Sequence, residues 1–350
     1  MTRTSRAAVM PGDGTWHLQT LTAPDAPPDG GALLRVEATG VCHSDVDHMH
    51  GIVHTPYGGA YPTIAGHEIV GRIDALTPEA RTRWGVEEGQ RVAVRASIPL
   101  PGGTRVYGHD FAISERSGLF GGFADYLELL PESEVEPLPD GFSASELTVW
   151  EPLSIAVRWA TAVQPGDSVA ILGPGHLGLA TIVAARAAGA ARIFVTGTAA
   201  DALRLDAARK LGAEEAIDVT VVDPVEHLRA LTDGGVDVAI DAASGSTITV
   251  TQAMQMVRRG GSVVIGALKD RKTVEGFVSD WIPMRQLHIH AGFPGDHVKT
   301  AIELIRTGRV PTADLLGEVF PLEQLGDALD LVGRKVPGRD AIRVGVRLTD

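Results

Sequence analysis

One short segment constrains the fold of this chain more than any other: the glycine pattern Gly173-Pro174-Gly175-His176-Leu177-Gly178. The pattern fits GxGxxG and lies between an apolar run and an alanine-rich stretch with helical spacing. In a strand–loop–helix setting, such glycines permit a tight turn, let a pyrophosphate approach the backbone, and let helix and strand pack closely. The segment therefore predicts a nucleotide site in which Gly173, Gly175, His176, Leu177 and Gly178 hold the phosphates at a helix N-terminus.

Apolar runs alternate with helical stretches over the second half of the chain. We predict six strands, at residues 168–173, 192–197, 215–219, 236–241, 261–266 and 286–292. The stretches between them carry apolar residues at helical spacing and several end in glycine, as helices commonly do. Alternating strands and helices form a doubly wound parallel sheet, and six strands suit its dinucleotide-binding, or Rossmann, version. We assign residues 154–293 to this domain and count Gly266 and Ala267, after the fifth strand, among its cofactor-binding residues.

The residues after the second predicted strand bear on the choice between NAD and NADP. An acidic residue there binds the ribose hydroxyls of NAD, whereas Arg, Ser or Thr accommodates the 2′-phosphate of NADP. The strand ends in Gly197-Thr198 instead of Asp, so Thr198 and Arg204 make NADP possible. Asp201 reaches the ribose if the loop folds back. For Asp201 and Arg204 alike, the alternative is a place on a solvent-exposed helix face without a role in cofactor binding. The sequence leaves the cofactor open.

The rest of the chain predicts a second domain. At 350 residues the chain is about twice the length of a usual domain. Residues 30–130 are rich in Gly, Pro and short β-branched runs, which are typical of irregular, mostly β structure. After about residue 293 the pattern of strand-like and helix-like segments is mixed again. We therefore predict one mostly β domain formed by residues 1–153 and 294–350.

Charge and composition narrow the partners. Acidic residues outnumber basic ones by 44 to 31, and a formal charge of -13 disfavours binding to nucleic acid and anionic membranes. No stretch of about 18 consecutive uncharged apolar residues occurs, and the N-terminus lacks the apolar run of a signal peptide. We expect a soluble, cytoplasmic protein that acts on small molecules.

Three metal-binding residue types occur in the predicted β domain. Cys42 is the chain's single cysteine, so no intramolecular disulfide and no all-cysteine zinc cluster can form. His67-Glu68 follows 25 positions later, and Glu151 lies at the junction with the nucleotide-binding half. A thiolate and an imidazole suit zinc, and a carboxylate or a water completes a catalytic tetrahedral site with one open position.

Simpler interpretations stay open for each of these residues. A lone cysteine is usually a small buried hydrophobic residue, and a His-Glu pair usually lies at the surface. An independent metal site made by the nearby His43, His48, His50 and His54 is the alternative ligand set, although solvent-exposed loop histidines are commonplace.

In combination, the motifs resemble the zinc-dependent medium-chain dehydrogenase/reductase family, the alcohol and polyol dehydrogenases. The matches run over nearly the whole chain in the family's order: GVCHSD, His50-Gly51, AGHEIVG, EEGQRV, GGFADY, EPLSIA, GPGHLG and RKLGA. The resemblance implies a GroES-like catalytic domain, a Rossmann cofactor domain and one catalytic zinc ion. It also implies that Cys42 and His67 are zinc ligands, that Glu68 and Glu151 are carboxylates near the metal, and that Ser44 is the substrate-linked hydroxyl.

The sequence departs from the family pattern at two places. Many members carry a structural zinc held by four cysteines, and Leu100, Gly103, Val106 and Ser114 stand at that spacing here. The lobe therefore cannot bind that metal, and packing or a neighbouring subunit must hold it. The second departure is at the proton relay, where the family commonly has histidine five residues after the cysteine. Asp47 occupies that position, followed by His48.

We therefore predict a zinc-dependent oxidoreductase that transfers a hydride between a polar alcohol (polyol, sugar or hydroxy acid), or its carbonyl, and NAD or NADP. Ser44, Asp47, His48 and Glu68 are the expected catalytic residues, and Trp281 with the stretch HIHAGFPG are candidate pocket residues. The alternatives are a zinc-independent enone or quinone reductase, a methyltransferase, and a non-catalytic binding protein. A homodimer or homotetramer is expected, because strands 261–266 and 286–292 can present a sheet edge to a second copy.

Overall fold

The computed structural model describes residues 3–52, 59–293 and 295–349. The chain divides into two compact units, the first formed by Met1–Glu151 with Leu316–Asp350 and the second by Pro152–Leu315. Residues 295–315 thus fall in the second unit, whereas the expected division assigned residues 294–350 to the first domain. Helix Val298–Arg306 buries an apolar face that includes Ile302 and Ile305, and the contacts of this segment lie within the second unit.

The secondary structure elements are named in chain order. The strands are β1 (Thr4–Met10), β2 (His17–Thr22), β3 (Ala32–Val41), β4 (Thr63–Ile64), β5 (Glu68–Leu76), β6 (Arg91–Val94), β7 (Ser97–Leu100), β8 (Gly103–Val106), β9 (Tyr126–Leu129), β10 (Val135–Pro137), β11 (Ser168–Leu172), β12 (Arg192–Gly197), β13 (Glu215–Asp218), β14 (Val236–Asp241), β15 (Val257–Ile265), β16 (His288–Ala291), β17 (Glu318–Pro321) and β18 (Val344–Arg347). The α-helices are α1 (His43–Met49), α2 (Pro78–Trp84), α3 (Ala144–Leu147), α4 (Trp150–Trp159), α5 (His176–Ala188), α6 (Ala202–Lys210), α7 (Pro224–Leu231), α8 (Ile248–Met256), α9 (Trp281–Arg285), α10 (Val298–Arg306), α11 (Thr312–Leu315) and α12 (Leu325–Val332).

The first unit is mostly β structure. Its largest sheet has the order β10-β6-β5-β3-β18-β17, with β9 also paired to β3. The long strand β3 lies inside this sheet, and its residues are almost all buried, as expected of a strand that is covered on both faces. C-terminal strand β18 pairs antiparallel with β3, so the end of the chain completes the sheet that begins near the N-terminus. Two smaller sheets, β2-β1-β4 and β7-β8, complete the described part of this unit.

The second unit contains a parallel six-stranded sheet with the order β13-β12-β11-β14-β15-β16. The strand order reverses between β11 and β14, and such a switch point is where dinucleotides bind in this architecture. Four predicted strands match closely, but the fifth begins at Val257 and not at residue 261. The predicted helix thus ends at Met256, because Val257 pairs with Val236 and a bulge follows before the regular ladder. The sixth strand begins at His288, after Gln286 ends α9 in the left-handed conformation.

Candidate active site

Cys42 lies at the turn between β3 and α1. Its backbone N–H donates to Asp45 Oδ2 at 2.8 Å, and its carbonyl oxygen accepts from the Asp45 N–H at 3.1 Å. These reciprocal bonds satisfy groups that an uncapped helix start would leave without partners. The local sequence CHSD therefore fixes the half-buried thiol at the end of a buried strand.

Asp45 also connects this turn to His67, which precedes β5. Asp45 Oδ1 accepts from the Gly66 N–H at 3.1 Å and lies 3.4 Å from His67 Nδ1. Burial alone would lower the pKa of His67, but Asp45 and a hydrogen bond with Cys42 outweigh it and hold the pKa well above its ordinary value. A carboxylate on one ring nitrogen orients an imidazole whose other nitrogen binds a metal. We did not single out Asp45 from the sequence, although its position as the third residue of α1 was the available signal.

Glu68 is fully buried and forms an ion pair with Arg343 through Oε2. Arg343 in turn donates to Thr148 Oγ1 at 2.6 Å and to the Thr148 carbonyl oxygen at 2.9 Å. The other oxygen, Glu68 Oε1, has no hydrogen-bond partner among the described residues. A carboxylate oxygen of Glu68 lies within 4.8 Å of Cys42 Sγ. A fully buried carboxylate that has one unpartnered oxygen and lies near a thiol fits a metal ligand, because a missing hydrogen-bond partner is otherwise costly.

A glycine makes room for this ion pair. A Cβ atom at Gly40 would lie 1.8 Å from Glu68 Oε2 and 2.1 Å from Arg343 Nη2. Any other residue there would displace the pair. Glu151, the fourth predicted ligand, is half-buried in the first turn of α4, and its place at the metal stays a prediction.

His109 is a further residue of this site that the sequence did not reveal. Asp45, His67 and His109 each offer a ligand atom within 4.8 Å of one another, and His109 Nε2 lies 3.2 Å from His67 Nδ1. His109 follows β8, in the lobe whose structural-zinc cysteines are replaced, so no motif spacing pointed to it. Asp45 and His109 therefore form a second polar cluster beside Nδ1 of the His67 ring.

The predicted relay residues lie on different faces of α1. His48 is fully buried, stacks on Tyr61 with ring centroids 4.7 Å apart, and has its Nδ1 3.1 Å from the Tyr61 hydroxyl. Burial lowers the pKa of His48 to about 4, so the ring is neutral at pH 7. Asp47 and Ser44 are half-buried. Consecutive helix positions do not face each other, which separates Asp47 from His48.

The alternative histidine site is not supported by the structure. His43 Nε2 lies 3.8 Å from Asp47 Oδ1, His48 contacts Tyr61, and His50 lies 3.3 Å from Lys335 Nζ. None of these three histidines belongs to a possible metal-binding group among the described residues, because each ring is turned to a different neighbour. His54 lies outside the described residues.

The lobe without cysteines is held by Arg105. Its guanidinium makes two hydrogen bonds with Glu115, at 2.8 and 2.9 Å, and lies 3.7 Å from the centre of the Phe111 ring. Arg105 also donates to the Asp110 carbonyl oxygen. The bidentate ion pair and the cation–π contact cross-connect the segment that four thiolates would otherwise hold.

The glycine loop of the second unit has the expected geometry. Gly173 has a φ of 102°, and a Cβ at Gly178 would lie 2.0 Å from the Gly173 carbonyl oxygen. A Cβ at Gly175 would meet no described heavy atom within 4 Å, so open space lies in front of this residue at the start of α5. Two glycines therefore serve packing, and the middle one leaves room for a phosphate.

After the second strand, hydrogen bonds between Thr198 and Asp201 close the loop, and the reach of Asp201 to a ribose stays a prediction. The Thr198 N–H and hydroxyl donate to Asp201 Oδ2 at 2.9 and 2.8 Å, and Arg204 Nη1 lies 3.9 Å from Asp201 Oδ1.

After the fifth strand, the N–H groups of Gly266 and Ala267 both donate to the Asp241 carbonyl oxygen. Trp281 packs half-buried against the core of the second unit, and its role in a substrate pocket stays a prediction.

Comparisons with known proteins agree with these features. Residues 28–140 match the family model for an alcohol dehydrogenase GroES-like domain, and residues 177–306 match the model for a zinc-binding dehydrogenase. A protein of Mycobacterium tuberculosis named as a probable alcohol dehydrogenase is 34% identical over 336 residues, which cover 90% of each chain. The chain belongs to the zinc-binding alcohol dehydrogenase family.

Further members of the family include polyol dehydrogenases. The sorbitol dehydrogenase of Bacillus subtilis is 31% identical and matches 93% of this chain and 92% of its own. The crystal structure of 2R,3R-butanediol dehydrogenase from Bacillus subtilis has a TM-score of 0.84 at 23% identity, over 99% of this chain and all of that chain. This last likeness concerns the fold alone. An alcohol dehydrogenase from Thermus sp. ATN1 has a TM-score of 0.83 at 25% identity, over 98% of this chain and 99% of its own.

The enzyme is thus an alcohol or polyol dehydrogenase that uses zinc and NAD(P) and acts on small-molecule alcohols. The predicted family, the fold class of GroES-like and Rossmann domains, and the activity are confirmed, and the chain is a dehydrogenase and not a methyltransferase. Among the described residues, no helix has the length and apolar character needed to cross a bilayer.

Proposed function

We propose that the dehydrogenase holds its catalytic zinc ion with Cys42, His67 and a carboxylate from Glu68 or Glu151, and oxidises polar alcohols such as polyols. The proposal is carried by the fully buried Glu68 side chain, whose Oε1 has no hydrogen-bond partner among the described residues and which has a carboxylate oxygen within 4.8 Å of Cys42 Sγ. The Cys42 side chain in turn forms a hydrogen bond with His67. When bound, zinc supplies the Lewis-acid charge that lowers the pKa of an alcohol hydroxyl. Asp45 and His109 keep the His67 ring in place, and Arg343 holds one oxygen of Glu68.

Polar substrates are favoured by two lines of support. Relatives include the sorbitol dehydrogenase and an erythritol/L-threitol dehydrogenase of Mycolicibacterium smegmatis, which is 29% identical over 97% of each chain. The buried imidazole of His109, next to His67, also gives the proposed metal site polar surroundings. A panel of polyols and simple alcohols, assayed with NAD and NADP before and after chelation, tests the proposal. Polyols should have the higher kcat/KM, and chelation should abolish turnover; activity that survives complete zinc removal would refute it.

The proton of the substrate hydroxyl is proposed to pass through Ser44 to Asp47. These residues are three positions apart on α1 and therefore share a face, whereas neutral His48 is turned into the first unit. Asp47→Asn should lower kcat at pH 7 by about 100-fold, in the range of a lost general base. His48→Asn should lower it by less than about tenfold, since that ring does not accept the proton at rest. Equal losses in steady-state kinetics would rule out this route.

We propose NAD as the preferred cofactor. Asp201 places a buried carboxylate after the second strand, where it repels a 2′-phosphate and can accept a ribose hydroxyl. Asp201→Asn should raise the ratio of kcat/KM for NADP to that for NAD by about tenfold, an electrostatic effect near 1.4 kcal/mol. Asp206→Asn, on the exposed face of α6, is the matched control and should leave the ratio unchanged. A wild-type enzyme that prefers NADP would contradict the assignment.

We also propose that the enzyme is a homodimer or homotetramer. Strand β16 is the exposed edge of the parallel sheet, and Met284, Ile289 and Phe293 around it are exposed. Sedimentation velocity at micromolar concentration should show an oligomer, and Ile289→Glu should shift it towards monomer. Val221→Glu, at a more exposed apolar residue far from that edge in the strand order, should not. Monomeric wild-type protein would remove the proposal.

We also propose that the enzyme works in the cytoplasm, because this reducing compartment keeps Cys42 as the thiolate that a metal ligand requires.

A further inference from the structure

A second buried ion pair lies in the second unit, at the carboxyl ends of β14 and β15. Asp241 is the last residue of β14 and is fully buried, while Lys269 follows β15 with a side chain that is 9% exposed. Lys269 Nζ lies 2.7 Å from Asp241 Oδ2 and 3.0 Å from Oδ1. Burial raises the pKa of Asp241 above its ordinary value, and the Lys269 ammonium opposes that shift. The proposed alcohol and zinc chemistry uses neither residue.

The pair connects two turns of the backbone. Lys269 Nζ donates to the Ala243 carbonyl oxygen in the turn after β14. The Asp241 carbonyl oxygen accepts from the N–H groups of Gly266 and Ala267, at 3.1 and 2.9 Å, in the turn after β15. Asp241 therefore holds both ends of the turn after β15. Its carbonyl oxygen binds the start of that turn, and its carboxylate binds Lys269 at the end.

The turn after β14 packs against the glycine loop. A Cβ at Gly173 would lie 2.9 Å from the Cβ of Ala243, and the Ala242 N–H donates to the Leu172 carbonyl oxygen at 2.9 Å. These contacts place the turn at the switch point between β11 and β14. In this architecture the dinucleotide lies across that point, one mononucleotide on each half of the sheet. Because Thr198 and Asp201 mark the adenosine half, the turns after β14 and β15 belong to the nicotinamide half.

We propose that Asp241 and Lys269 are a positioning pair for the nicotinamide half of the cofactor. The three N–H groups of the ammonium are accounted for by Asp241, the Ala243 carbonyl oxygen and Thr249 Oγ1, so Lys269 has no donor left for a ligand. It acts on the cofactor only through the backbone that it fixes. Loss of the ammonium frees both turns and leaves a buried carboxylate without its counter-charge.

The effect should be confined to one half of the cofactor, and this makes the proposal testable. The probes are the reduced form of the cofactor that the wild type prefers and its adenosine fragment, AMP or adenosine 2′,5′-bisphosphate. For Lys269→Met, we expect the dissociation constant of the dinucleotide to rise about tenfold and that of the fragment to change less than about twofold, because only the nicotinamide contacts are misaligned. Lys269→Arg should restore much of the affinity.

Two further variants keep the test decisive. The double variant Asp241→Asn with Lys269→Met leaves no unpaired buried charge, so it should fold and still show the selective loss. Arg258→Met breaks the ion pair with Asp237, 2.7 Å long, at the amino ends of the same two strands, and should change neither constant. Equal losses for dinucleotide and fragment, or unchanged binding of both with a lowered melting temperature, would overturn the proposal. The binding measurement does not depend on the zinc ligands, so it stands apart from the proposal for the metal site.

Discussion

Cys42→Ser should abolish zinc binding and lower kcat by about 10³-fold or more, because the enzyme loses the charge that stabilises the developing oxyanion. The thiolate is the chain's only sulfur ligand of this kind, and serine does not ionise at neutral pH to replace it. Zinc content by mass spectrometry and steady-state kinetics measure the two effects in one preparation.

The matched control for this variant is His43→Ala. His43 is the next residue along the chain, but its side chain is 58% exposed and turned towards Asp47. This variant should keep a full complement of zinc, because exposed substitutions commonly leave a buried site intact. A Cys42→Ser enzyme that keeps both zinc and activity would show that the metal is held elsewhere.

Arg343→Met should give the largest loss of stability among single substitutions at the site. It leaves the fully buried Glu68 carboxylate without its cation, which costs about 3–5 kcal/mol for a broken buried pair. We expect the melting temperature of the first unit to fall on the order of 10 °C. The loss should be greater after chelation, since a bound cation near Glu68 Oε1 offsets part of the unpaired charge.

Two comparisons make the Arg343 result interpretable. Adding Glu68→Gln to Arg343→Met removes the unpaired charge and should recover much of the lost stability in calorimetry. Arg306→Met breaks an exposed ion pair with Glu303 and should cost less than about 1 kcal/mol. If Arg343→Met melts like Arg306→Met, the buried pair does not support the site as described.

The local features of the site could be predicted from sequence. The glycine loop was predictable because its three glycines lie within six residues and each has a local role: a tight turn, room for a phosphate, or close packing of helix and strand. The helix begins directly after them. Cys42 and His67 could be singled out because their residue types are those that zinc accepts and because family motifs surround them, and their role as ligands stays a prediction. Within each motif the residues that indicate the chemistry are neighbours in the chain, although the motifs of Cys42 and His67 are 25 positions apart.

The residues that hold the ligands could not be predicted in the same way. Arg343 lies 275 positions from Glu68 and 195 from Thr148, and only the pairing of β18 with β3 brings it to the site. His109 comes from a lobe where the expected spacing pattern is lost. An arginine or histidine in an unremarkable segment carries no signal of its partner until the sheet is formed.

Two errors of boundary have a related cause. The stretch before residue 261 has apolar residues at helical spacing, but pairing of Val257 with Val236 ends the helix at Met256. Residues 295–315 have a mixed composition like that of the first domain, although they pack in the second unit. Tertiary pairing overrides local preference at both places.

Cobalt substitution shows whether the Cys42 thiolate binds the catalytic metal. Cobalt(II) accepts the same ligands as zinc and reports a bound thiolate through a sulfur-to-metal charge-transfer absorption. The cobalt enzyme should be active and show this band at one metal per chain, and the band should be absent when Cys42→Ser protein is treated identically. Active cobalt enzyme without the band, or a band that persists in Cys42→Ser, would show that the Cys42 thiolate is not a metal ligand.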